Sequence, residues 1–143
     1  KIKKAVVEKD EKEKGLRKIL NFGHSFAHAY EATLGFSKKL NHGEAVILGM
    51  KTALNFSLKT KLMNKREYYS IIDHIDNSDL PSSVSKFFSP KDVNKILSFM
   101  AKDKKNISNN INLVLLKKIG TPVINKEYPK KKIGLFLKIF LRN

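Results

Sequence analysis

Apolar residues recur at helical spacing between Glu13 and Leu34. Leu16, Ile19, Phe22, Phe26, Ala27, Ala29 and Tyr30 predict one helix over this span, with Gly35 as its stop. Phe36 to Leu40 reads as a short connection, after which Asn41 and Glu44 have the spacing of a capping box. The box opens a second helix running to about Met63, apolar over its first half through Ala45, Val46, Leu48, Gly49, Met50, Ala53 and Leu54, and therefore buried. Lys65 to Ile75 and Pro90 to Ala101 predict two amphipathic helices. They are divided by a loop starting near Asp76, and the second opens with Ser89 at N-cap and Pro90 at N1. Ile111 to Leu116 alternates weakly and is rich in Ile, Val and Leu, so a strand is expected there. Its partner is placed at Pro122 to Asn125 across the Gly120-Thr121 turn. The charged opening, Lys1 to Lys14, holds only Ala5-Val6-Val7 as a helix turn or short strand, and the basic, apolar segment from Tyr128 onward is a peripheral helix or a frayed end. The expected fold class is mainly α with a small β-hairpin near the end.

At 143 residues and 41% hydrophobic content, the chain suffices for one globular domain. It starts at Lys1, without a signal segment or an apolar run of membrane-spanning length, and is expected to be a soluble internal piece of something larger, cytoplasmic by default. Cysteine is absent, so any metal must be held by His, carboxylate or solvent oxygen. A net charge of +16 raises the question of nucleic acid. The excess is nearly all Lys, the arginines being Arg17, Arg66 and Arg142, and no aromatic residues interleave with it as a stacking platform requires. Neither a nucleic acid nor a membrane is expected as a partner.

Polar residues of the first predicted helix gather on one side. At 100° per residue, Glu13, Arg17, Asn21, His24, His28 and Glu31 fall within an arc of about 80°. A solvated face in so Lys-rich a chain should carry Lys and Glu. Residues 21 to 28 instead offer Asn, Gly, His, Ser and His, and Gly23 alone costs roughly 1 kcal/mol against Ala in a helix interior. His24 and His28 stand one turn apart, a spacing that suits one divalent metal or a ligand beside a proton carrier. The spacing alone is weak, because position 25 is Ser rather than the Glu of the metalloprotease motif. His42 adds a third imidazole where the chain has turned back, whereas His74, amid Asp73 and Asp76, reads as a surface residue.

Three stretches together resemble the 3-dehydroquinate synthases. They are Lys3-x-x-Val6-Val7-x-x-Asp10-Glu11-x-Glu13-x-Gly15-Leu16-Arg17, then Leu20-Asn21-Phe22-Gly23-His24-Ser25-Phe26-Ala27-His28-Ala29-x-Glu31, then His42-Gly43-Glu44-Ala45-Val46. Asp103-Lys104-Lys105, Ile111 to Leu116 and Ile119-Gly120 are similar to the family's later pattern. Ser25 and Ala27 depart from the usual Thr and Gly but remain small. The resemblance spans roughly residues 1 to 122, so residues 1 to 125 are expected to be a C-terminal metal- and substrate-binding domain and 126 to 143 a tail of open role.

The resemblance implies that His24 and His42 are two ligands of a catalytic zinc (or cobalt), the third being a Glu that lies before Lys1. It makes His28 the substrate and proton-handling residue, and Lys3, Arg17, Asn21 and one of Lys104 and Lys105 the groups that bind substrate, with Glu13 a less central carboxylate. The implied reaction is that of a carbon–oxygen lyase: 3-deoxy-D-arabino-heptulosonate 7-phosphate becomes 3-dehydroquinate plus phosphate, in the shikimate route to aromatic amino acids, with transient use of NAD. The scattered glycines form no dinucleotide loop. The resemblance implies that NAD sits mainly on a missing N-terminal domain, that the chain alone is inactive and that the whole enzyme is a homodimer. Two alternatives are another sugar-phosphate cyclase, such as a 2-deoxy-scyllo-inosose synthase, and a non-catalytic basic helical module or gene remnant.

Overall fold

Caps and apolar stripes divide the chain into helices and one antiparallel hairpin in a computed structural model that describes residues 2–9, 15–102 and 109–143. Helix α1 spans Ile2–Lys9 and lies against a 3-10 segment, Leu16–Asn21. Helix α2 follows at His24–Thr33, α3 at His42–Lys59, α4 at Lys65–Asp76 and α5 at Val93–Lys102. Strands β1, Asn110–Lys118, and β2, Thr121–Pro129, pair antiparallel, and α6, Lys130–Phe140, closes the chain. The mainly α architecture with a hairpin near its end is as the sequence predicts.

The long helix expected from Glu13 to Leu34 does not form. Its described part is broken at Phe22-Gly23, where Gly23 adopts φ 81°, a left-handed conformation that ends the 3-10 segment and starts α2 on a new axis. The cause is a close crossing with α3. A Cβ on Gly23 would stand 2.6 Å from the Met50 backbone nitrogen, and one on Gly49 would overlap the Gly23 carbonyl oxygen. Two glycines back to back thus allow the start of α2 to touch the middle of α3. The single polar face drawn by helical spacing therefore does not exist: His24, His28 and Glu31 share α2, while Arg17 and Asn21 belong to a separate 3-10 element.

The other elements follow local signals. Asn41 Oδ1 accepts from the Glu44 amide and Glu44 Oε2 accepts from the Asn41 amide, both at 2.9 Å, so the capping box starts α3 at His42. That helix stops at Lys59 rather than Met63, because Lys61 turns left-handed and the Leu62 and Met63 amides fold back onto the Ser57 carbonyl. Ser89 and Asp92 make a second box, with Pro90 opening a short 3-10 turn ahead of α5. The hairpin runs further than expected on both sides, to Asn110 and to Pro129.

Phe26, Ala27, Ala29 and Tyr30 of α2 pack with Ala45, Leu48 and Phe56 of α3, Ile96 and Met100 of α5, Leu113 and Leu115 of β1, and Ile133 and Leu137 of α6 in one core. Tyr30 stacks on Phe88 at 4.7 Å, and Phe56 meets Tyr128 edge-on at 4.9 Å. A smaller cluster of Leu54, Met63, Tyr68 and Ile72 seats α4, and Phe22 packs against both clusters. The basic tail is thus a helix whose inner face belongs to the core.

Candidate metal and substrate centre

His24 opens α2, His28 lies one turn along it, and His42 opens α3. The glycine crossing and the short Phe36 to Leu40 connection bring the three rings together. Ring centres are 5.6 Å apart for His24 and His28, 6.0 Å for His24 and His42, and 6.2 Å for His28 and His42. Two imidazoles sharing a tetrahedral zinc have ring centres about 5 Å apart, given metal–nitrogen bonds near 2.0 Å. Distance alone admits each of the pairs.

The hydrogen bonds say more. His24 Nδ1 faces the Phe22 carbonyl oxygen at a long 3.4 Å, and His42 Nδ1 sits between the Glu31 carboxylate oxygens at 3.1 and 3.2 Å. A carbonyl and an ionised carboxylate only accept, so each Nδ1 is the donor and each neutral ring carries its lone pair on Nε2. This is the arrangement of a histidine prepared as a metal ligand, with an oxygen behind it. Both rings thus fit a divalent metal in their donor chemistry. Among the described residues no group of three or more His, Asp or Glu is placed to hold a metal ion, so the pair is at most part of a coordination sphere.

His28 is exposed and lines a cleft of about 240 Å³ with Ser25, Ala29, Ala32, Phe36, Phe99 and Lys102. A larger concavity of about 700 Å³ lies at the far end of α3, between Lys59 and Lys118, and contains none of these histidines. Of the three histidines only His28 lines the smaller cleft, so the candidate site is marked by the meeting of the three rings rather than by either concavity.

The remaining predicted residues are placed unevenly. Lys3 is exposed on α1. Arg17 and Asn21 are half-buried on the 3-10 segment, both engaged with neighbours, and Asn21 ends that segment just before the turn that aims His24. Lys18 on the same segment donates to Asn125 Oδ1 at 2.6 Å, tying it to β2. Glu13, Lys104 and Lys105 lie outside the described residues, and His74 is exposed on α4 as expected. Sequence reasoning placed Glu31 near the site without giving it a role. Its signal was available: it lies one turn beyond His28, and a carboxylate there can reach whatever follows the returning connection.

The family model of the 3-dehydroquinate synthase C-terminal domain matches residues 1–106. The 3-dehydroquinate synthase of Pelagibacter ubique (strain HTCC1062) is 61% identical over 137 residues, 96% of this chain and 37% of that protein. That of Endomicrobium trichonymphae is 43% identical over 122 residues, 85% of this chain and 32% of that protein. The chain therefore spans about a third of the length of these curated relatives. Among solved structures, 2-deoxy-scyllo-inosose synthase complexed with carbaglucose-6-phosphate, NAD+ and Co2+ superposes with a TM-score of 0.75 at 24% identity, over 96% of this chain and 38% of that one. ValA, a 2-epi-5-epi-valiolone synthase from Streptomyces hygroscopicus with NAD+ and Zn2+ bound, gives 0.75 at 22%, over 96% of this chain and 37% of that one. These two show the fold. With the family match covering most of the chain and every described signature stretch in order along it, the chain belongs to the 3-dehydroquinate synthase C-terminal domain family.

Proposed function

We propose that this chain is the metal- and substrate-binding part of a 3-dehydroquinate synthase, acting on 3-deoxy-D-arabino-heptulosonate 7-phosphate to release phosphate and form 3-dehydroquinate. The carrying observation is the meeting of His24, His28 and His42, two of them with Nδ1 tied to oxygen. His24 and His42 are the metal ligands, zinc or cobalt, with a third ligand, a Glu, from sequence preceding Lys1. A metal held there supplies Lewis-acid polarisation of substrate oxygens.

The chain's own residues do the rest. His28, exposed in the cleft beside the other two rings, holds and moves a proton at a substrate oxygen. Arg17 and the lysines Lys3 and Lys104 or Lys105 offset the charge of a substrate carrying both carboxylate and phosphate, and Asn21 orients hydroxyls. Glu13 plays a lesser part in the same site. NAD is the family's redox cofactor, but no glycine-rich loop after a strand offers it a cradle in this chain, and its site belongs to an N-terminal domain. The same reading expects a homodimeric, cytoplasmic enzyme. Among the described residues no helix is long and apolar enough to cross a membrane.

The Asp10-Glu11-x-Glu13-x-Gly15-Leu16-Arg17 stretch and the curated relatives favour dehydroquinate synthesis over another cyclisation. The test is to supply the preceding part of a relative and assay dehydroquinate formation with NAD and zinc. His24→Ala and His42→Ala are each expected to abolish activity together with bound zinc. Activity that survives both substitutions would overturn the metal assignment. His28→Ala is expected to keep the metal and lower kcat by about 10²- to 10⁴-fold.

A further inference from the structure

We propose that Glu31 is a positioning residue, which fixes the proton of His42 on Nδ1 and so reserves Nε2 for the metal. The inference rests on the metal reading above and adds a residue to it. Glu31 is in the last turn and a half of α2, and His42 is the first residue of α3, so the pair spans the connection between the two helices. Both carboxylate oxygens lie within hydrogen-bonding distance of the same ring nitrogen. The Glu31 side chain is only 13% exposed, against 61% for His42: the carboxylate is shielded behind a ring whose other edge faces outward.

Both ends of the contact are fixed by local structure. His42 is held by the capping box around it, through Asn41 and Glu44, and Glu31 by a helix whose inner face, Phe26, Ala27 and Tyr30, is buried. A tie serving only to close the connection would work equally well with either ring nitrogen as donor. A metal ligand requires the lone pair on one stated atom, and a carboxylate behind Nδ1 selects Nε2 while making the ring a stronger donor. Partners of this kind commonly change metal affinity 10- to 100-fold.

The test uses the 143-residue chain with nitrogen-15 in its imidazoles. Long-range proton–nitrogen spectra, recorded where the rings are neutral, are expected to show His42 with its proton on Nδ1. Glu31→Ala is expected to move that proton largely to Nε2 and weaken zinc binding by about 10- to 100-fold. Glu31→Gln, whose amide oxygen can still accept, is expected to retain more of both. A purely structural tie would lower the melting temperature in Glu31→Ala and leave zinc affinity unchanged. If Glu31→Ala does not fold, the Gln variant and the wild-type tautomer still decide. An Nε2 proton on His42 in the wild type, or an unchanged tautomer in Glu31→Ala, would overturn the inference. An Nδ1 proton as expected, with zinc leaving the His24 and His42 rings undisturbed, would uphold Glu31's hold on the ring and remove the metal reading instead.

Discussion

Tyr30 shows how a residue beside the site is committed to the fold rather than to chemistry. Its hydroxyl is fully buried, 2.7 Å from Thr52 Oγ1, and Thr52 in turn donates to the Leu48 carbonyl at 2.8 Å, so Tyr30 donates to Thr52. Burial pushes the phenol well above its ordinary value of 10.0, with the Thr52 bond opposing. The neutral form is the one favoured in the folded state. Stability is therefore complete below about pH 10 and falls as pH rises towards the raised folded value. Tyr30→Phe is expected to cost about 1 kcal/mol at neutral pH and to flatten the alkaline decline, measured by urea unfolding between pH 8 and 11. Tyr68, also raised by burial against its Asn55 bond, keeps a share of the slope. His24, His28 and His42 stand out in the sequence because their residue types are out of place in a Lys-rich chain, and the structure brings their rings together. The Glu31 contact is not legible in the sequence, since it depends on where α3 begins relative to the end of α2.

Element boundaries were readable where a side chain writes them. Asn41 with Glu44 and Ser89 with Pro90 mark element starts from within the chain; the first opens α3 directly and the second opens a 3-10 turn ahead of α5. Gly23 was misread because its conformation is set by a neighbour far along the chain. Helical spacing sees a costly residue in an otherwise periodic run, whereas the reason for it is the Met50 backbone. Replacing Gly49 by Ala places a methyl against the Gly23 carbonyl, with backbone rather than a flexible side chain in the way. The expected loss is about 1–3 kcal/mol or more, read as a lowered urea midpoint. Because the same crossing sets the angle of α2, Gly49→Ala is also expected to change the spectra of the His24 and His42 rings, which lie outside the substituted helix turn.

At the scale of the molecule, the outcome for the tail is the most instructive. In the sequence the basic, apolar segment from Tyr128 onward, with Lys130 to Lys132 ahead of Ile133, reads as either a peripheral helix or a frayed end. In three dimensions β2 delivers α6 directly onto α5, where Gly134 sits under Leu97, and Ile133 and Leu137 are fully buried. Amphipathicity at one end of a chain cannot reveal what it packs against; the partner surface is made by α5, the Pro90–Asp92 turn and β2. Leu137→Ala is expected to cost about 2–5 kcal/mol, while Leu135→Ala on the exposed face stays within about 0.5 kcal/mol, both by chemical unfolding. Phe22 carries the same logic to the site. Its ring is a wall of both hydrophobic clusters, and its carbonyl faces His24. The turn cannot swing open alone without exposing both clusters, so its amides belong with the slowest to exchange hydrogen with solvent. The His24 ring is thereby tied to the packing of both clusters.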